Sequence, residues 1–213
     1  MEDILDEPEI ISQEDNLLFT ILTQTTDTYR FILKDYASKY RNLIINWYGV
    51  SFGIGLHLEA LIRHDKFSML SLIFLSLVGW LLSWLLIYLN SFLMSWTGKW
   101  IGGRANTDQF VKISAWSLIP ATCSVFPLAV LVFFFDHSVP LLDQNMTTII
   151  FYYFVLAVKT GLDIWSIVIF VKGAAVVQDF TIRKAVLNTV LALLIIAIPV
   201  ISLLAFNFVS SGT

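Results

Sequence analysis

Residues 68–101 read SMLSLIFLSLVGWLLSWLLIYLNSFLMSWTGKWI. Thirty-four residues wound as an α-helix extend about 51 Å at 1.5 Å per residue, against a hydrocarbon core of roughly 30 Å. Such a helix must tilt across a bilayer, or project beyond it as far as the Gly102–Gly103 break. Within it Ser76, Ser83, Asn90 and Thr97 recur every seven residues, close to two full turns, and form one narrow polar stripe. Lipid has no use for that stripe. Small hydrogen-bonding side chains let helices approach and tie them together, so it reads as a packing seam in preference to a water-lined path. Trp80 and Trp84 share another face, and Trp96 and Trp100 suit an aromatic belt at the membrane–water interface.

Working outward, the whole chain has this character. Of its 213 residues 57% are apolar and 14% charged, against roughly 25% charged in a soluble domain. Water cannot solvate so apolar a surface and lipid can, which excludes a soluble enzyme; a net charge of −3 with no polybasic run argues against a nucleic-acid binder. One cysteine, Cys123, excludes an intrachain disulfide. Length and apolarity mark five spans in an all-α polytopic membrane domain over 42–209: about 43–62, 68–101, 110–135, 147–171 and 182–209. The first is the least apolar, carrying Asn46, Ser51, His57, Glu59 and the glycines 49, 53 and 55. Pro120 and Pro127 should bend the third, and Pro199 interrupts the fifth.

Ahead of the spans, residues 1–15 hold seven acids and no Lys or Arg, which reads as a solvated disordered tail or a docking strand for a basic partner. Residues 16–41 follow, with Leu18, Ile21, Leu22, Thr25, Tyr29, Ile32, Leu33, Tyr36 and Tyr40 at helical spacing. With bases on the opposite side, this predicts an amphipathic helix along the cytoplasmic headgroups. Ten of the thirteen bases precede the first span or lie in the 2–3 and 4–5 connections; only Arg63 and Lys66 fall on the other side. The positive-inside rule then puts the N-terminus in the cytoplasm and the C-terminus, with its 210–213 tail, outside.

Lys159 lies near the middle of the fourth span with Asp163 four residues on, sharing a helix face. Each charge left alone at mid-bilayer costs about 2.5–3.5 kcal/mol on insertion scales. The pair fits a structural ion pair, an ion or proton relay or polar cavity floor, or a register in which Lys159 snorkels. With Asn90 it is the intramembrane polar group of most interest. His57, His64 and His137 sit around the outer loops without metal-ligand spacing and read as part of a wet rim. Asn145-Met146-Thr147 matches a glycosylation acceptor, meaningful only in a eukaryotic secretory membrane. No phosphate loop, nucleophile elbow or paired-carboxylate site appears; no catalytic, cofactor or metal residues are expected.

Three segments carry a resemblance. GGRANTDQF (102–110) running into AWSLIP (115–120) resembles a two-glycine turn after the second span, followed by a polar-aromatic approach and a proline, Pro120, in the third. LDIWS (162–166), Gly173 and FTIRKA (180–185) resemble the approach to a last span, with Trp165 as the aromatic position. TYRFIL (28–33) is similar to a pre-membrane helix. Together these resemble the Yip (Ypt-interacting protein) family of multi-pass membrane proteins, particularly its bacterial branch. The resemblance implies five spans with a cytoplasmic N-terminus, and it implies no catalytic site. Eukaryotic relatives bind Rab-type GTPases through a long cytoplasmic domain not visible here, so that activity is not carried over.

The expected function is therefore non-enzymatic. The chain would bind or organise other membrane components, as an oligomer or as an accessory to a transporter or envelope complex. Its partners would be the lipid bilayer and other membrane proteins or itself, in a bacterial cytoplasmic membrane, or an ER/Golgi membrane if eukaryotic. The alternative is a small ion- or proton-coupled transporter or channel using Lys159, Asp163 and Asn90.

Overall fold

The computed structural model describes residues 17–36, 38–62, 68–134 and 145–211, and every element among them is helical. The acidic 1–15 segment, the Arg63–Lys66 connection with His64, most of the loop bearing His137, and Gly212–Thr213 lie outside the described residues.

The pre-membrane segment is not one amphipathic helix. It is two short helices, α1 (Leu17–Thr23) and α2 (Thr25–Phe31), followed by a wide π-type turn over Ile32–Tyr36. Threonine chemistry accounts for the break. The hydroxyls of Thr20, Thr23, Thr25 and Thr28 donate to the carbonyls of Leu17, Phe19, Ile21 and Gln24, and such back-bonding bends helices. Ile21, Tyr29 and Ile32 are wholly buried while Leu18 and Phe19 are exposed. The segment's inner face thus packs into the protein's own core.

Helices α3 (Ser38–Ile62) and α4 (Met69–Trp100) form the tightest pair. Glycines make the approach possible: a methyl group on Gly79 would lie 2.6 Å from the Gly49 carbonyl oxygen and from the Gly53 nitrogen. One on Gly53 would strike the Leu75 carbonyl and Ser76. Small residues at such a crossing let backbones touch. A reversal at Gly102, whose φ of +92° suits only glycine, closes α4 with the Gly103 N–H on the Gly98 carbonyl at 2.8 Å.

The third apolar stretch is three helices: α5 (Thr107–Ser117), α6 (Ile119–Cys123) and α7 (Val125–Phe134). Pro120 and Pro127 have no N–H to give the carbonyls four residues back, so the ladder fails there twice. Asn106 and Gln109 cap α5 reciprocally, at 2.9 and 3.0 Å. Helix α8 (Met146–Gln178) begins on the Asn145 side chain, which accepts from the Thr148 N–H at 2.8 Å, and ends at Asp179 in the left-handed conformation. Helix α9 (Ile182–Ser211) continues through Pro199. One proline removes one bond from a long apolar helix, which its remaining turns sustain.

Residues 69–100, 107–132, 146–178 and 182–199 are long and apolar enough to cross a membrane. Their outward faces carry exposed Leu70, Leu81, Phe154, Ile164 and Ile198, a surface that water would not tolerate and lipid does. The principal core lies toward one end, where α1 and α2, the start of α3, the end of α4, α5 and the end of α8 converge on Tyr29, Ile45, Met94, Phe110, Trp116 and Ile169.

Candidate functional site

Lys159 and Asp163 meet as helical spacing requires, Nζ to Oδ2 at 3.2 Å. A second carboxylate reaches the same ammonium from another helix: Glu59 Oε1 of α3 lies 3.6 Å from Lys159 Nζ. The cluster is therefore two carboxylates about one ammonium, formally −1. It lines a cavity of about 380 Å³ among α3, α6, α7 and α8, with Tyr48, Ser51, Ser124 and Ser166 as its hydroxyl-bearing residues. The Lys159 side chain is 24% exposed and those of Glu59 and Asp163 are 40% and 41%, so the excess negative charge is the accessible part.

A second space, of about 440 Å³, adjoins it, open to the outer surface at half-exposed Leu86 and Leu193, and includes Asn90, Ser83, Ser114, Ser117 and Thr189 within a mainly apolar lining completed by Ile87 and Phe170. Tyr48, Phe52, Leu118, Ser166 and Ile167 border both spaces. The Tyr48 and Phe52 rings stack at 6.1 Å. Ser166 Oγ accepts the Ala121 N–H at 2.9 Å, an amide that the interrupted helix leaves without its ordinary partner.

The four members of the seven-residue stripe have separate surroundings. Ser76 is half-buried and bonds its own helix at the Leu72 carbonyl. Ser83 is buried, and a methyl group on Gly49 would collide with its hydroxyl. Asn90 borders the second cavity. Thr97 is wholly buried and donates to Asn188 Oδ1 of α9 at 2.7 Å. Among the family-motif positions, Gly102 makes the reversal, Gly103 lies against the Gln178 side chain, Pro120 is buried at the α5–α6 break, and Trp165 is 42% exposed away from both cavities.

Other polar ties were not evident in the sequence. Asn46 Oδ1 accepts from both Trp80 and Trp84 indoles, at 2.8 and 2.9 Å. Buried Gln178 accepts the Ala105 N–H at 3.0 Å, and buried Asn188 donates to the Met94 carbonyl at 3.1 Å. Asp108 pairs with Arg41 of α3 and with Lys112 one turn on. Tyr29 Oη donates to the Ile113 carbonyl, and burial holds its phenol well above the ordinary range. His57 is not on a wet rim: it is 2% exposed, with Nδ1 3.3 Å from Ser71 Oγ. Glu59 did carry a signal, because a carboxylate in a span that holds no cation over 43–62 needs one elsewhere, and Lys159 is the cation nearest the middle of a span.

Apolar helix exteriors around an interior of polar ties define a multi-pass integral membrane protein. A family model, the Yip1 domain, matches residues 31–204, and the chain belongs to the Yip family. The match begins at Phe31, at the end of α2, and takes in both cavities. The family is one of membrane proteins not known as enzymes. No curated protein and no solved structure matches the chain.

Proposed function

We propose that this is a five-span, non-enzymatic protein of a bacterial cytoplasmic membrane that binds and organises other membrane components, as an oligomer or within a transporter or envelope complex. The observation that carries the reading is where the polar side chains go. Tyr29, Asn46, Thr97, Ser166, Gln178 and Asn188 all bond between elements of the same chain, as befits a rigid scaffold that presents lipid-facing surfaces to neighbours. In this reading α3 is the fifth span: its 25 residues reach about 37 Å, and its polar groups face α4 and α8 in place of lipid.

Crosslinking in membranes followed by gentle-detergent purification tests the role. A stoichiometric partner or a defined oligomer is expected, and an isolated monomer throughout overturns it. Proton flux in liposomes that disappears in Lys159→Ala would favour the rival coupled transporter. In a Cys123→Ser background, cysteine at Arg104 should resist an impermeant external thiol reagent and cysteine at Met146 should react. Both positions are exposed and neither caps a helix. The opposite labelling would reverse the proposed orientation.

A further inference from the structure

The two adjoining cavities differ in chemistry, and that difference specifies a ligand. The first holds Glu59, Lys159 and Asp163 with three serines, and the second is mainly apolar. We propose that together they bind an amphiphile whose head carries an ammonium group, with its apolar chain in the second cavity. This goes beyond the role proposed above and does not depend on a protein partner.

Charge decides the head. Two carboxylates share one lysine, leaving one negative charge in surroundings where ions are poorly solvated. An ammonium group entering the cavity restores neutrality there, with any phosphate it is tethered to left outside, whereas an anion entering adds to the imbalance. The carboxylates are the more exposed members, so an incoming ammonium meets acceptors before it meets Lys159. The stacked Tyr48 and Phe52 rings stand at the junction of the two spaces, and aromatic faces attract cations within about 6 Å.

Size and lining decide the tail. Each cavity falls within the roughly 300–1,000 Å³ common for small-molecule sites. The volume near the charges, about 380 Å³, far exceeds one bare ion. The second space offers Leu86, Ile87, Phe170 and Leu193 to a hydrocarbon chain. Two sources supply this chemistry: an aminophospholipid of the bilayer, or a single-chain amine.

The test is a thermal-unfolding titration of the purified full chain in a maltoside detergent with dodecylammonium, dodecanol and ammonium chloride as probes. Saturable stabilisation by dodecylammonium alone is expected. Equal stabilisation by dodecanol, or by ammonium chloride, or no saturable effect of dodecylammonium, overturns the proposal. Glu59→Gln should raise the half-saturating concentration roughly tenfold, as loss of one charged hydrogen-bond partner does. Thr189→Phe, which fills the apolar cavity while leaving the charges, should also weaken dodecylammonium binding; unchanged binding in both variants overturns the site assignment. Native mass spectrometry after extraction from vesicles of phosphatidylethanolamine, phosphatidylcholine and phosphatidylglycerol distinguishes the sources. Retained phosphatidylethanolamine or phosphatidylcholine identifies the lipid, dodecylammonium binding without retained lipid identifies a single-chain amine, and preferential retention of phosphatidylglycerol overturns the charge argument.

Discussion

The Tyr29 hydroxyl donates to the Ile113 carbonyl at 3.1 Å across a separation of 84 residues, while the Tyr29 ring fills the space that a methyl group on Gly173 would need. One side chain thereby joins the pre-membrane segment to α5 and α8. The segment is part of the fold's packing, and the contacts that hold it are open to direct measurement.

Tyr29→Phe keeps the ring and removes the hydrogen bond, which should weaken docking of the segment by about 1 kcal/mol. Alkali gives an independent readout. Undocked, the phenol loses its proton near pH 10; docked, burial holds it protonated well above that. Between those two values the undocked form binds fewer protons, so this contribution is complete below about pH 10 and falls as pH rises further. Protease susceptibility of residues 17–36 should rise with alkalinity more steeply in wild type than in Tyr29→Phe. Parallel profiles would place Tyr29 in solvent.

Glycine substitutions separate packing from propensity within one helix. Gly53→Ala drives a methyl group into the Leu75 backbone, whereas Gly55→Ala meets nothing nearer than Leu128 at 3.9 Å. The first should destabilise by about 1–3 kcal/mol through forced separation of α3 and α4. The second should be neutral, or stabilising by up to about 1 kcal/mol from helix propensity. Detergent thermal melts of both variants check this, and equal effects would mean the helices are not in backbone contact.

The charge cluster should respond asymmetrically. Asp163→Ala leaves Lys159 with Glu59, but Lys159→Ala leaves two carboxylates facing each other without a cation. Lys159→Ala should therefore lower stability more, by no more than roughly 2.5–3.5 kcal/mol for each carboxylate it strands. Lys159→Met with Asp163→Leu still strands Glu59, so full relief requires Glu59→Gln as a third change. Melting temperatures in the order triple, double, then Lys159→Ala are expected; a double variant matching the triple would remove Glu59 from the cluster.

At the opposite end, Asn188→Leu removes an acceptor of Thr97 and a donor to the Met94 carbonyl, all buried. Each lost bond contributes about 0.5–1.5 kcal/mol, and neither partner is stranded, because Thr97 keeps the Leu93 carbonyl and the Met94 carbonyl keeps the Gln178 amide. Thr97 keeps its acceptor in its own helix at 2.8 Å, so Thr97→Val in the same background should recover nothing. A double variant more stable than Asn188→Leu would show that the Leu93 carbonyl does not hold the hydroxyl once Asn188 is gone.

Much of this was legible from residue order. Helical class follows from composition, because lipid leaves the backbone no partner outside its own helix. The Lys159–Asp163 contact follows from spacing alone, since four residues nearly complete one turn. The broken third stretch has its prolines in plain sight, although the freed amide of Ala121 at the start of α6 finds its partner, Ser166, only on another helix. Residue order could not bring Glu59 to Lys159, Asn46 to two tryptophans, or Gln178 to the Gly98–Gly103 turn. Those contacts join helices far apart in the chain, and which face meets which is decided by the sum of packing at every crossing, with Gly49, Gly53 and Gly79 setting how closely α3 approaches α4. Periodicity belongs to one helix at a time; a cavity is the space that several leave among themselves, and it exists only once they are packed.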